Sequence, residues 1–572
     1  LNLDLGKNGL SYDHGVSDEP LVGSTLGAYF DQVAAKLPHK QAIVSLPEDI
    51  SLTYSELLAE IESFALGLIA LGIEAGDRVG IWAPNNVQWV ITQFATAKIG
   101  AILVNINPAF RLSELEYVVK HAGIKLIIMT PKIKTSDCFS MACELIENRK
   151  SAYMLKKLVL MHDIKAGSNL SAGFSKEFAL PFADVQDLGK VHDRAKLEDR
   201  QAHLQFDEPI NIQYTSGTTG FPKGVTLSHH NLLNNSLAAA KAMCVDSQSR
   251  FCVPTPFYHC AGMVVGTLVA LFSGGTLVIP APIFDAEATL IACARERCTH
   301  LSGVPTMFIA QLQHEKLKEL DLSSLRSGFM AGAPVPIKLM QDVAAKMHLQ
   351  EILILYGLTE ASPLITGSKI TDPVESRATN VGVALPHVEI KVVDPMTNQT
   401  VPYGEQGEIC TRGYHKMLGY WEDQYATVQT IDTAGWLHTG DLGTMDKNGY
   451  IRITGRKKDM IIRGGENIYP REIEELLHTH PAIIQGQVFG VPDEQRGEEV
   501  ACWVQLKAGA SLSEDELKQW LKDKVAYFKI PRYIKFVNEF PLTVTGKVQK
   551  FAMRDQVIKD LDLTQAASIQ TA

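Results

Sequence analysis

Apolar and polar positions follow two rhythms along the first 360 residues. Short β-branched runs predict interior strands: "RVGIW" (78–82), "AILVNI" (101–106), "KLIIM" (125–129), "TLVIP" (276–280) and "EILILY" (351–356). Between them, segments such as "SELLAEIESFALGLIALG" (55–72) repeat apolar residues at the helical period behind a Ser cap. This alternation predicts an α/β protein with helices packed on mainly parallel sheets. The uncharged stretch 264–283, "VVGTLVALFSGGTLVIPAPI", has the length of a membrane span, but it breaks at Ser273-Gly274-Gly275, Pro280 and Pro282. A buried helix, a turn and a buried strand are expected there, and no transmembrane segment.

From about Gly382 the rhythm changes to strands and turns, which predicts a small β-rich subdomain. Asn448-Gly449, between "GTM" and "YIRI", is a hairpin signal. Beyond "TGRKKD" (454–459), "REIEELLHTH" (471–480) and "SEDELKQWLKDKV" (513–525) predict the helices of a small α+β C-terminal lid domain. The expected division is therefore 1–455 and 456–572. Charge agrees, since residues 456–572 hold 17 Lys plus Arg and 17 Asp plus Glu, so the net charge of -10 belongs to the rest. The sequence has no internal repeat and no low-complexity tract.

At 572 residues the chain exceeds what one core usually serves. Its acidic balance argues against a nucleic-acid partner, which calls for a basic surface. Nine cysteines without a CxxC pair support neither a disulfide framework nor a common zinc pattern, and point to a reducing environment. The opening "LNLDLGKNGLSYDHGVSDEP" lacks a basic start followed by an apolar run, and it has no Arg, unlike a mitochondrial presequence. A cytoplasmic location is expected, with the mitochondrial matrix as the alternative if a presequence has been trimmed. The chain starts at Leu, which leaves its true N-terminus open, as is homo-oligomerisation.

Candidate chemistry centres on "YTSGTTGFPKG" (214–224). A short strand runs into a loop of Gly217, Gly220 and Gly224, and a helix is expected to start at Ser228. Bare amide groups, hydroxyls and one mobile Lys make a donor surface suited to a polyphosphate. The Lys lies between Pro222 and Gly224, so this is not the GxxxxGK[ST] loop.

This stretch resembles the signature of the AMP-forming adenylating superfamily, which includes acyl-CoA synthetases, adenylation domains of peptide synthetases and beetle luciferases. Further signatures follow in family order: "PFYHCAG" (256–262), "YGLTEASP" (356–363), "GWLHTGDLG" (435–443), "GRKKDMIIRGGENIYPREIE" (455–474) and "PLTVTGK" (541–547). In detail, "INIQYTSGTTG", "LGYW" and "KDMIIRGGENIYP" look most like the medium-chain acyl-CoA synthetase branch.

The resemblance implies ATP and CoA as co-substrates, Mg²⁺ as cofactor and a fatty acid as the third small-molecule partner. It implies that Thr215, Ser216, Gly217, Thr218, Thr219, Gly220, Phe221, Pro222 and Lys223 hold ATP. Tyr356 would stack on adenine, Thr359 would bond the α-phosphate and Glu360 would bind Mg²⁺, a hard cation that suits a carboxylate. Asp441 would accept the ribose hydroxyls, and Arg456 would contact ribose and phosphate. His438 with Asp441 as a metal pair lacks a third ligand nearby. His259, which by itself reads as a core histidine, would lie beside the acyl carboxylate. Cys252 and Cys260, which flank it, read as buried thiols and not as ligands.

Lys547 would neutralise charge during adenylation, Lys458 would be the hinge, and Gly464-Gly465 would line the CoA channel. Val304, Thr306, Ala331 and Gly332 would line the acyl pocket, whose small and apolar side chains suit an aliphatic chain. Long-chain, branched and aromatic acids stay open as alternatives. An ATP phosphotransferase would release ADP instead of AMP, and an inactive nucleotide-binding relative would lack the essential Lys, Glu or Asp, all of which are present.

Overall fold

Every β-branched run named above is a strand, because side chains that crowd a helix turn pack well on a pleated, buried surface. The computed structural model describes residues 9–134, 136–147, 154–161, 178–215, 222–333, 335–464, 466–522, 524–542 and 548–563. Two compact units emerge: His14–Glu389 with Thr411–Leu437, and Leu1–Asp13 with Ile390–Cys410 and His438–Ala572.

The larger unit carries two sheets. The first has nine strands in the order Val383–Ala384, Leu364–Gly367, Glu351–Gly357, Ser327–Ala331, His300–Gly303, Arg250–Cys252, Thr276–Ile279, Gln41–Ser45 and Ile50–Thr53. From Glu351–Gly357 to Gln41–Ser45 every pairing is parallel. The second has eight strands, parallel from Ala179–Pro181 through Lys157–Leu160, Ile124–Met129, Arg78–Trp82 and Ile102–Asn105 to Pro209–Thr215. Lys223–Ser228 and Gly419–Tyr420 then extend it antiparallel. The helix Val87–Ile99 is buried almost all round, including Lys98, whose ammonium pairs with Asp31 and, at 3.6 Å, with Glu62.

Two local expectations need correction. The helix predicted behind a cap at Ser55 runs Tyr54–Ala70, and its cap is Thr53. Thr53 accepts from the Glu56 amide while Glu56 reaches back to the Thr53 amide at 2.8 Å, a reciprocal pair that Ser55 is too late in the chain to form. Gly224 is not in the loop: with Lys223 it opens a strand that pairs Thr215 with Lys223 and Tyr214 with Gly224. The strands on either side of the glycine-rich stretch thus pair as a hairpin. The helix His229–Met243 does begin at Ser228, which caps the Asn231 amide at 3.1 Å.

The stretch 264–283 divides into a buried π-helical turn (Met263–Leu268), a helical turn (Val269–Phe272) and the strand Thr276–Ile279. Among the described residues no helix is long and apolar enough to cross a membrane.

The smaller unit holds most of one five-stranded sheet and all of another. One takes the order Tyr12–His14, Val388–Val393, Gly407–Gly413, Leu437–Met445 and Ile451–Arg456, the last two forming the hairpin expected at Asn448-Gly449. The other pairs Ile483–Asp493 with Gly497–Leu506 and adds Ile461–Arg463, Glu466–Ile468 and Tyr533–Phe536. Helices Pro470–Thr479 and Glu514–Lys522 cover it with Ile473, Leu477, Leu517 and Leu521, the apolar stripe the sequence shows.

Candidate active site

Parallel strands end on one edge of a sheet, so whatever follows them in sequence gathers there. In the nine-stranded sheet, Arg250–Cys252, His300–Gly303, Ser327–Ala331 and Glu351–Gly357 are successive parallel neighbours. Their carboxyl ends lead to His259, to Val304 and Thr306, to Ala331 and Gly332, and to Tyr356, Thr359 and Glu360. Residues up to a hundred positions apart are therefore set along one rim. His259 caps a helical turn, its Nδ1 accepting from the Ala261 amide at 3.3 Å, directly before the π-helical turn. Val304 precedes the helix Pro305–Gln313, whose first turn carries Thr306. Gly357 is required by close approach, since a side chain there would overlap the Pro363 carbonyl. Thr359 is buried and Glu360 half-buried, in a single 3-10 turn.

The hairpin from the other sheet is held through both of its strands. Near the connection the Tyr214 hydroxyl lies 2.8 Å from His121 Nδ1; burial pushes the Tyr214 pKa up and the His121 pKa down, so both stay neutral. On its far side the Trp421 amide donates to the Gly224 carbonyl at 2.7 Å and the Leu418 amide to Thr226 at 2.9 Å. The Lys223 ammonium stands 4.9 Å over the ring of Tyr420, whose hydroxyl donates to Glu360 Oε1 at 2.9 Å. The Met417 amide also donates to the Glu360 carbonyl at 2.9 Å. Lys223 and Glu360, expected from sequence as separate parts, are thus brought to one side chain. Ser216, Gly217, Thr218, Thr219, Gly220 and Phe221 lie outside the described residues.

In the smaller unit, Asp441 and Arg456 are opposite partners on antiparallel strands, with Arg456 Nε 2.9 Å from Asp441 Oδ1. The turn leading to Asp441 rests on Glu408. This buried carboxylate accepts from the Gly440 amide at 3.1 Å and lies 3.2 Å from His438 Nδ1 and 3.4 Å from Lys457 Nζ. Burial raises the Glu408 pKa, but the bond from His438 and the charge of Lys457 outweigh it and leave it lowered. His438 therefore faces Glu408 and, at 3.4 Å, the Cys410 sulfur. Lys458 is exposed within the 3-10 turn Lys457–Asp459. Gly464 has φ +59° with open space where a side chain would stand. Gly465 and Lys547 lie outside the described residues.

His121, Glu408 and Tyr420 escape sequence reasoning, because nothing in their neighbourhood announces a partner tens of residues away. "LGYW" holds one of them and signals only likeness. Cys252 and Cys260 are buried, as their surroundings suggest. Cys252, however, joins Cys293 and Cys298 in a group whose sulfurs lie within 4.8 Å of one another. Val278, Leu290, Leu301 and Phe308 belong to the same apolar cluster, and burial pushes the Cys252 thiol up.

Comparison with known proteins agrees with this geometry. Residues 30–421 match the model of the AMP-binding enzyme family, and residues 472–547 match that of the AMP-binding enzyme C-terminal domain. The chain is 44% identical over 556 residues to YngI of Bacillus subtilis (strain 168), a protein named as an acyl-CoA synthetase, covering 96% of this chain and 99% of that one. It is 41% identical over 559 residues to the mitochondrial medium-chain acyl-CoA ligase ACSF2 of Danio rerio, covering 97% and 91%. Among solved structures, ATP-bound MatB from Rhodopseudomonas palustris superimposes with a TM-score of 0.80 at 30% identity, over 94% of this chain and 99% of that one. The paired strands on either side of the glycine-rich stretch, a rim of parallel strand ends and likeness along nearly the whole length lead to one conclusion: the chain belongs to the AMP-binding enzyme family, as an AMP-forming acyl-CoA synthetase.

Proposed function

We propose that this synthetase takes medium-chain fatty acids. The acid's carboxylate attacks the α-phosphorus of ATP and pyrophosphate leaves; the CoA thiol then attacks the acyl carbon and AMP leaves. The observation that carries the substrate reading is the 41% identity to a medium-chain acyl-CoA ligase over 97% of the chain. The small, apolar side chains of Val304 and Ala331 at the rim, beside Gly332, are compatible with an aliphatic chain.

In this reading the hairpin 215–223 cradles the phosphates, Tyr356 lies against adenine, Thr359 bonds the α-phosphate, and Asp441 with Arg456 takes the ribose. His259 borders the acyl carboxylate. Glu360 fits a hard divalent cation, being a half-buried carboxylate on a 3-10 turn. Bound Mg²⁺ would supply charge neutralisation on the phosphates. The domains divide at 455/456, and rotation about Lys458 exchanges Lys547, which serves the first step, for Gly464-Gly465, which serve the second. The cytoplasm is the proposed location.

The test is a panel of short-, medium- and long-chain, branched and aromatic acids with ATP and CoA, scored by AMP release and thioester mass. The highest kcat/KM is expected with medium-chain acids. A maximum with aromatic or long-chain acids would refute the substrate assignment while leaving the reaction class intact.

A further inference from the structure

Tyr420 lies in "LGYW", a stretch that signals only likeness, yet it touches residues of two signatures. Its backbone is fixed from three directions. Val225 pairs with it across the sheet, its amide donates to Thr427 Oγ1 at 2.9 Å, and its carbonyl accepts from the Asp423 amide at 3.3 Å. The side chain is half-buried and has a defined direction. Its hydroxyl donates to Glu360 Oε1 at 2.9 Å, and its ring face lies 4.9 Å from the Lys223 ammonium.

A bond from a phenol to an ionised carboxylate is charge-assisted and stronger than a neutral one. A carboxylate has about four acceptor positions, so one such bond fixes its rotation without saturating it. A cation within about 6 Å of a ring centroid is attracted to the electron-rich face. One side chain therefore touches both an anion and a cation, Glu360 on a turn that follows a strand of the nine-stranded sheet and Lys223 on a strand of the eight-stranded one.

We infer that Tyr420 is a positioning residue: its hydroxyl orients the Glu360 carboxylate toward a divalent cation on the nucleotide, and its ring holds Lys223 ready for the phosphates. The inference rests on the assignment of Glu360 and Lys223 proposed above. Tyr420 itself does not contact substrate. It acts by reducing the rearrangement that the two charged groups need when the nucleotide enters.

Two substitutions separate its two contacts. Tyr420→Phe keeps the ring and removes the hydroxyl; Tyr420→Leu removes both. The measurement is binding of ATP to the full chain, by calorimetry, in EDTA and in saturating Mg²⁺. The wild type is expected to bind MgATP more tightly than metal-free ATP. Tyr420→Phe should reduce that gain roughly tenfold, the scale of one hydrogen bond to a charged group, with metal-free binding changed less than about twofold. That second constant also reports whether the variant is folded. Tyr420→Leu should in addition weaken metal-free binding by about threefold as Lys223 loses the ring face.

Glu360→Gln is the reference. If it abolishes the metal-dependent gain while Tyr420→Phe keeps it, the tyrosine inference is overturned and the Glu360 assignment stands. Equal weakening of both constants in Tyr420→Phe would mean a merely structural role and would also overturn the inference. If Glu360→Gln retains the full gain, the assignment of Glu360 fails and the tyrosine inference falls with it.

Discussion

Asp441 and Arg456 face each other on paired strands, 2.9 Å apart, and Glu408 braces the turn between His438 and Asp441 from beneath. In the ribose-binding role proposed for Asp441, an acceptor held this way would keep its direction before the sugar arrives, which is how a site reduces the cost of ordering. The same logic sets the role proposed for Lys547. An ammonium beside the attacking carboxylate and the developing phosphorane matters for adenylation and not for thioester formation. Lys547→Ala is therefore expected to abolish ATP–pyrophosphate exchange while synthetic acyl-AMP plus CoA still yields product. Equal loss of both half-reactions would remove the assignment. At this scale the sequence is legible where chemistry needs fixed residue types at fixed spacing, as in "YGLTE". It is silent on His121 and Tyr420, whose partners Tyr214 and Glu360 lie 93 and 60 residues away.

Elements follow from local pattern, and their ends from local hydrogen bonds. The five β-branched runs became strands because alternation and branching act within a few residues. The start of the helix Tyr54–Ala70 was misplaced by two residues for an equally local reason: both Thr53 and Ser55 carry hydroxyls, but only Thr53 has Glu three positions on. Thr53→Ala should cost about 1 kcal/mol of stability, whereas Ser55→Ala, at an exposed position, should stay within about 0.5 kcal/mol. Urea denaturation of the two variants checks this, and the reverse order would restore Ser55 as the cap. The hairpin of the glycine-rich stretch was harder to read. Lys223 to Ser228 alternates weakly, and its strand character depends on pairing with Pro209–Thr215 and Gly419–Tyr420.

For the whole molecule, burial of ionisable groups decides how stability depends on pH. His229 and His415 are fully buried and pushed down to about 3, and burial likewise takes His300 down to about 4. All three lie in the larger unit. They stay neutral when folded, whereas the unfolded chain takes up their protons near the ordinary value. Below that value the unfolded state binds more protons, so stability falls as pH drops from about 6.5 toward 4, by up to ~1.4 kcal/mol per pH unit for each histidine. His415→Gln should lower the urea midpoint at neutral pH, because the contact between His415 Nε2 and Thr411 at 2.8 Å is lost. It should nevertheless give a shallower decline between pH 6.5 and 4.5. A slope parallel to wild type would contradict the burial argument.

The sequence by itself determined the class of element along each stretch and the family, because propensity, turn chemistry and signature spacing are properties of neighbouring residues. It also contained the reaction chemistry, since the acceptors, donors and cations that adenylation needs are all present by type. Only the tertiary structure decided which of them meet. Parallel neighbours set His259, Val304, Ala331 and Glu360 along one rim, strand pairing joined Asp441 to Arg456, and the short strand Gly419–Tyr420 tied Lys223 to Glu360. The physical reason is that contacts between distant residues depend on strand order and register, which arise from packing of the whole chain and leave no periodic trace in it.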